Sequence, residues 1–212
     1  MKKILAAVCL VLLISWPVFG SGLKLQFGPA FTNFNYSDMS ILPSWINKNS
    51  LLQFTGGVGF ELSFTTNFAL ELDIMYAPGG AEFKGTTGGI TVTETFKGYA
   101  VSMPVLFKVS FLPGTTPYIV TGGFLAYTTS QKAILDVSPG IFHLEDDMTD
   151  DINRFQYGLV FGGGVEIAIA SMNFLVEGRY ALGLSNLNKD DFLVVGDTAK
   201  STNISILIGY KF

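Results

Sequence analysis

Apolar side chains recur at every second position through most of this chain, the period of a β-strand with two unlike faces. In Gln53–Thr65, Phe54, Val58, Phe60, Leu62 and Phe64 share one parity, while Thr55, Gly57, Gly59, Glu61 and Ser63 take the other. Asn67–Ala77 sets Phe68, Leu70, Leu72, Ile74 and Tyr76 against Ala69, Glu71 and Asp73. Thr95–Leu112 sets Tyr99, Val101, Met103, Val105, Phe107 and Val109 against Gly98, Ser102, Pro104 and Lys108. Met172–Leu184 sets Met172, Phe174, Val176, Tyr180 and Leu182 against Asn173, Glu177, Arg179 and Gly183. With Leu23–Asn35, Pro117–Thr128, Arg154–Ile169 and Thr202–Phe212, these make eight predicted strands. Each is long enough for the roughly 9–11 tilted residues that cross a bilayer. Only Pro117–Thr128 is ambiguous by parity.

The connections between these strands alternate in length. Tyr36–Leu52, Pro78–Glu94, Thr129–Asn153 and Ser185–Ser201 are long; Thr65–Asn67, Pro113–Thr116 and Ala170–Ser171 are short. Short periplasmic turns and long external loops mark outer-membrane barrels. The predicted fold is therefore all-β: an eight-stranded antiparallel transmembrane β-barrel, an up-and-down meander with both termini periplasmic.

Which face looks outward follows from volume. A water-soluble barrel would bury the apolar face, and a bore of this strand number cannot hold the many Phe and Tyr rings that this face carries. The rings also cluster at strand ends. Phe64, Phe68, Phe111, Phe174, Tyr210 and Phe212 fall towards the short turns; Phe54, Tyr76, Tyr99, Tyr157 and Tyr180 fall towards the long loops. Two such belts are expected at the two membrane interfaces.

The N-terminus adds an export signal. Lys2 and Lys3 precede the apolar run Ile4–Ile14, Pro17 breaks it, and Val18 and Gly20 suit the small positions before a cleavage site. The expectation is a cleaved signal peptide over residues 1–20 and a barrel domain over 21–212. The lone cysteine, Cys9, lies in the leader, so disulfide and thiolate chemistry are not expected of the mature chain. Losing Lys2 and Lys3 takes the net charge from −4 to −6, which argues against nucleic acid as a partner.

By parity the lumen holds Lys24, Glu61, Glu71, Asp73, Lys108, Glu166, Glu177, Arg179 and Lys211. Four basic and five acidic groups nearly balance, which predicts a salt-bridged plug rather than a selective channel. Across the Thr65–Asn67 turn, Glu61 falls opposite or nearly opposite Glu71, and Lys24 and Lys108 are the cations expected to separate them. A proline removes one ladder hydrogen bond, so Pro104 predicts a local bulge or a missing backbone pair.

The loops offer two candidate chemistries. His143, the only histidine, lies beside Asp146, Asp147, Asp150 and Asp151. That placement admits a rim-located outer-membrane enzyme, although a lone loop histidine is more simply a solvated side chain. Glu145–Asp151 invites a divalent-cation reading but lacks the alternating register of a calcium loop. No metal or cofactor is expected.

Three runs resemble the PorT-like outer-membrane β-barrel family: Tyr99-Ala-Val-Ser-Met-Pro-Val-Leu-Phe-Lys108, Arg179-Tyr-Ala-Leu-Gly-Leu-Ser-Asn186 and Gly209-Tyr-Lys-Phe212. The resemblance implies an eight-stranded barrel and no shared catalytic residues. The expected function is non-enzymatic, with the barrel as anchor and the loops serving recognition or envelope structure. The alternatives are an accessory subunit of a secretion assembly and the rim enzyme built on His143. Expected partners are outer-membrane lipid, the barrel-assembly machinery during insertion, and a protein engaged through external loops. Ile41, Leu42, Trp45, Ile141 and Phe142 are the apolar loop residues available for such contact.

Overall fold

The structure, a computed structural model, describes residues 21–36, 43, 45–111, 116–138, 140, 142–169, 172–189 and 198–212. The candidate leader, Ile41, Leu42, Ile141 and two of the three short turns lie outside them. Among the described residues, ten strands follow one another: β1 Ser21–Tyr36, β2 Ile46–Asn49, β3 Leu51–Ser63, β4 Phe68–Thr87, β5 Ile90–Ser110, β6 Thr116–Ser138, β7 Phe142–Asp147, β8 Phe155–Ile169, β9 Met172–Gly183 and β10 Ala199–Lys211. Eight of them close a ring, β1-β3-β4-β5-β6-β8-β9-β10, with β10 paired back onto β1 and every pairing antiparallel. Closure leaves no edge within the ring, which is what a sheet in lipid requires.

The side chains sort by parity. Phe54, Val58, Ile74, Tyr76, Val101, Met103, Val105, Phe107, Val176, Ile204, Ile206 and Ile208 are exposed on the outer wall. Lys24, Gln26, Glu61, Glu71, Asp73, Lys108, Glu177 and Arg179 are buried inside it. The strand that parity left ambiguous, β6, is apolar on both faces. Ile119, Leu125 and Tyr127 point out, whereas Tyr118 and Val120 pack inward with Leu106 and Val160.

Two of the predicted long loops are strand. The segment Pro78–Glu94 continues β4 and β5 upward as a hairpin, turning at Gly88-Gly89, whose positive φ values of 56° and 79° suit a two-residue turn. Thr129–Asn153 likewise continues β6 to Ser138 and returns as β7. Alternation persists along β4 (Ala81 and Phe83 buried, Glu82 and Lys84 less so), where Pro78, Gly79 and Gly80 conceal it, whereas β7 is exposed at every position. The added strands sit on the flanks of this extension: β2 pairs with the top of β4, Ile46 opposite Gly85, and β7 with the top of β6, Lys132 opposite Asp147. A five-stranded sheet, β2-β4-β5-β6-β7, therefore rises from one side of the barrel.

Three irregularities interrupt the wall. Pairing of β4 with β5 lapses between Leu72/Val105 and Met75/Ser102, the stretch that contains Pro104. Pairing of β1 with β10 lapses between Phe27/Ile208 and Ala30/Ser205, which contains Pro29. Each proline withholds the N–H its neighbour would accept. The bulge itself lies elsewhere, at Tyr99/Ala100, where β6 spends Thr129 as an extra residue. The third lapse is longer: β3 and β4 separate above Gly56/Tyr76 and pairing resumes only at Asn49/Glu82 on β2. Two side chains bridge this seam, Thr55 Oγ1 donating to the Tyr76 carbonyl (2.7 Å) and Gln53 Nε2 to the Gly79 carbonyl (3.1 Å).

Candidate functional site: the charged lumen and the chamber above it

Strand register dictates the charge problem inside the barrel. Glu61 on β3 and Glu71 on β4 are paired directly across the ladder, so two carboxylates face each other in a confined bore. Four cations converge on them. Lys108 Nζ lies 2.7 Å from Glu61 and 3.4 Å from Glu71; Lys24 Nζ is 2.5 Å from Glu71; Lys211 Nζ is 2.7 Å from Glu61; Arg179 Nη2 is 3.5 Å from Glu71.

The remaining carboxylates complete the chain of contacts. Glu166 takes Lys108 at 2.5 Å and Lys211 at 3.5 Å. Asp73 takes Arg179 at 2.7 Å, and Arg179 Nε also donates to Glu177. Lys24 approaches Asp73 Oδ1 to 3.3 Å, an ion-pair distance without hydrogen-bond geometry. All nine lumen charges named from parity thus occupy one continuous network. A buried charge is tolerated only when paired and hydrogen-bonded, and the alternation of sign provides that here.

Three neutral or π groups join the network that parity arguments did not name. Gln26 Nε2 donates to Asp73 (2.9 Å), the Tyr118 hydroxyl donates to Glu177 (2.7 Å), and the Tyr118 ring lies 4.2 Å below Lys108 Nζ. Gln26 was legible, since it shares the parity of Lys24. Tyr118 was not, because its strand carries apolar groups on both faces.

Space for these side chains comes from glycine. A Cβ at Gly59 would collide with the Asp73 carboxylate and the Lys24 side chain. One at Gly57 would meet the β4 backbone at Ile74 and Met75.

Above the network the bore opens into a chamber of about 110 Å³. Arg179 forms part of its floor; Met75, Ala100, Phe124, Ala126, Val160 and Ala181 give it an apolar wall; Ser102, Thr128, Gln156 and Asn203 add polar positions. Phe34 and Leu187 lie at its top, where they belong to an apolar cluster with Ala81, Phe83 and Ala199. That cluster rests against the inner face of the rising sheet.

The aromatic positions fall in two groups. Phe64, Phe68, Phe111 and Phe212 are exposed near the short-turn end, with Phe174, Tyr210 and Phe212 packed edge to face and Phe68 stacked on Phe107. Phe54, Tyr76, Tyr157 and Tyr180 are exposed nearer the long hairpins, and Tyr76 stacks on half-buried Tyr99 at 5.0 Å.

Residues 21–189 match the family model described as the outer membrane protein beta-barrel domain. The chain belongs to that family. It is an integral outer-membrane β-barrel protein, and its exposed apolar wall is the surface that meets lipid. Among solved structures, it is similar to Ail, the attachment invasion locus protein of Yersinia pestis, at 16% identity, covering 92% of this chain and 100% of that one with a TM-score of 0.45. It is also similar to the outer membrane protein OprG of Pseudomonas aeruginosa, at 13% identity, 92% and 97% coverage, and a TM-score of 0.48. No curated protein matches it.

His143 and the acidic run sit far from this lumen in kind as well as place. His143 is exposed on β7, its Nδ1 2.5 Å from Asp136 on β6, and this hydrogen bond and charge raise its pKa above the ordinary histidine value. Glu145 pairs with Lys132 at 2.6 Å, Asp147 accepts from the Thr149 hydroxyl and amide, and Asp150 pairs with Arg154. Those acids are spent on hairpin and turn contacts. Among the described residues no cluster of His, Cys, Asp and Glu has a metal-binding arrangement.

Proposed function

We propose that this outer-membrane barrel is a non-enzymatic anchor that presents the β2-β4-β5-β6-β7 sheet for recognition. The short turns and both termini then face the periplasm, and the rising sheet stands outside the cell. The observation that carries this reading is the contrast between the two ends of the axis. The lumen is filled by paired charges, of which Lys24, Glu71, Lys108 and Glu177 have almost no solvent contact, whereas the sheet displays Trp45, Phe142 and Leu144 to solvent. A filled bore argues against an ion pathway; exposed aromatic and aliphatic groups on a stiff sheet suit contact with a protein.

Within the family, the runs Tyr99–Lys108, Arg179–Asn186 and Gly209–Phe212 favour the PorT-like group. We assign His143 no catalytic role: its Nδ1 is engaged by the Asp136 carboxylate in an exposed hairpin contact.

The test is a photo-crosslinking residue placed at Thr86 or His143 on the sheet, and separately at Thr66 in the described short turn, in intact cells. Recognition through the sheet gives adducts from Thr86 and His143 only. Adducts confined to Thr66 would favour an accessory role in a secretion assembly. An epitope inserted at Gly88-Gly89, where added side chains meet open space, is expected to bind antibody on unpermeabilised cells.

A further inference from the structure

The chamber has a floor and a roof but an incomplete side. Below, Arg179 is engaged by Asp73 and Glu177, so the axis towards the short turns is closed by ion pairs. Above, Phe34 and Leu187 seal it with the apolar cluster under the rising sheet. Laterally, its lining includes Thr55, Ala77, Pro78 and Gly79, which are the residues of the β3–β4 seam. There the backbone ladder is replaced by the two side-chain bonds of Thr55 and Gln53. A Cβ at Gly79 would point into the open chamber, and exposed Leu52 and Phe54 stand on the outer face beside the seam. This seam is the stretch of the chamber wall least held by backbone pairing.

The lining selects the class of occupant. Its volume of about 110 Å³ is below the roughly 150 Å³ of an apolar protein cavity that takes up benzene, so a single ring is the upper limit of size and an acyl chain is excluded. Arg179 has its charge satisfied, which removes any demand for an anion. Among the described residues, two buried acceptors in and beside the chamber have no donor: Asn203 Oδ1 in the chamber and Gln53 Oε1 at the seam. An acceptor without a donor is costly in a low-dielectric site, and a hydroxyl supplies one.

We propose that the chamber binds a small neutral lipophile of single-ring size carrying one hydroxyl, a phenol in chemical class, which enters from the bilayer through the β3–β4 seam. The site lies outside the recognition surface proposed above, so either reading can fail alone.

The experiment is ¹⁹F NMR of 4-fluorophenol with the full protein in detergent micelles, compared with protein-free micelles. Saturable binding is expected. Ala126→Phe and Ala181→Leu fill the chamber and should each weaken it at least tenfold, with heat-modifiable gel mobility verifying that both variants remain folded. Gln53→Ala removes the bridge to Gly79 and should speed ligand exchange severalfold. Wild-type spectra identical to those of empty micelles, or binding undiminished in both folded filling variants, would overturn the site. Exchange unchanged or slower in Gln53→Ala would overturn the lateral route.

Discussion

Glu61 and Glu71 stand directly opposite each other on β3 and β4, and one ammonium group, that of Lys108, reaches both, at 2.7 Å and 3.4 Å. Register alone forces the repulsion; the cation from β5 resolves it. The same lysine also neutralises Glu166 at 2.5 Å, so it joins three carboxylates contributed by three strands.

Removing that cation should therefore cost more than removing a peripheral one. Lys108→Met is expected to destabilise the barrel by about 3–5 kcal/mol, the usual penalty for leaving buried partners uncompensated. Lys132, paired with Glu145 on the exposed hairpin, should change stability very little when replaced by Met. Urea unfolding in micelles measures both; equal midpoints for the two variants would refute the network's structural role.

Glycine positions separate in the same way. Gly57→Ala drives a methyl group into the β4 backbone and should cost about 1–3 kcal/mol, as overpacking does. Gly178, whose added Cβ would find its nearest atom 4.0 Å away, should accept alanine without loss. The check is the temperature at which each variant loses its fast-migrating folded band on unboiled gels.

His143 reports the rising sheet, because its signal is that of the only histidine. Its pKa is raised by the hydrogen bond and charge of Asp136. A raised value means that the β6–β7 contact is strongest below the ordinary histidine pKa of about 6.5 and is lost as pH rises through the folded value. NMR titration should find a midpoint above that reference in the native protein and a lower one in Asp136→Asn. Amide protection of Phe142–Asp147 should fall over the same interval. An unchanged midpoint in Asp136→Asn would contradict the pairing.

Most of the barrel was legible because period two over eight strands leaves few alternatives: a one-residue error would put Lys108 in lipid and Val109 in the bore. The charged lumen followed from the same parity. Three things did not. The β4–β5 extension is concealed by Pro78-Gly79-Gly80, which punctuate the alternation without ending the strand, and β7, exposed at every position, has no alternation to read. Tyr118 lies on a strand whose inner face is as apolar as its outer one, so parity could not assign it to the network. At Pro104 a bulge or a missing backbone pair was expected, and the missing pair is there, towards β4, while register with Phe124 on β6 is kept. The distortion lies at Tyr99/Ala100, where Thr129 is the extra residue, and no single residue type announces it.

The central claim is that apolar side chains on alternate positions meet lipid while their neighbours face a closed, ionic interior. Spin labels attached to single cysteines, moved one residue at a time from Val101 to Lys108 in reconstituted bilayers, test it through their collision rate with dissolved oxygen. Accessibility should peak at 101, 103, 105 and 107 and fall at 102, 104, 106 and 108. Peaks on the even positions, or no alternation at all, would contradict the account.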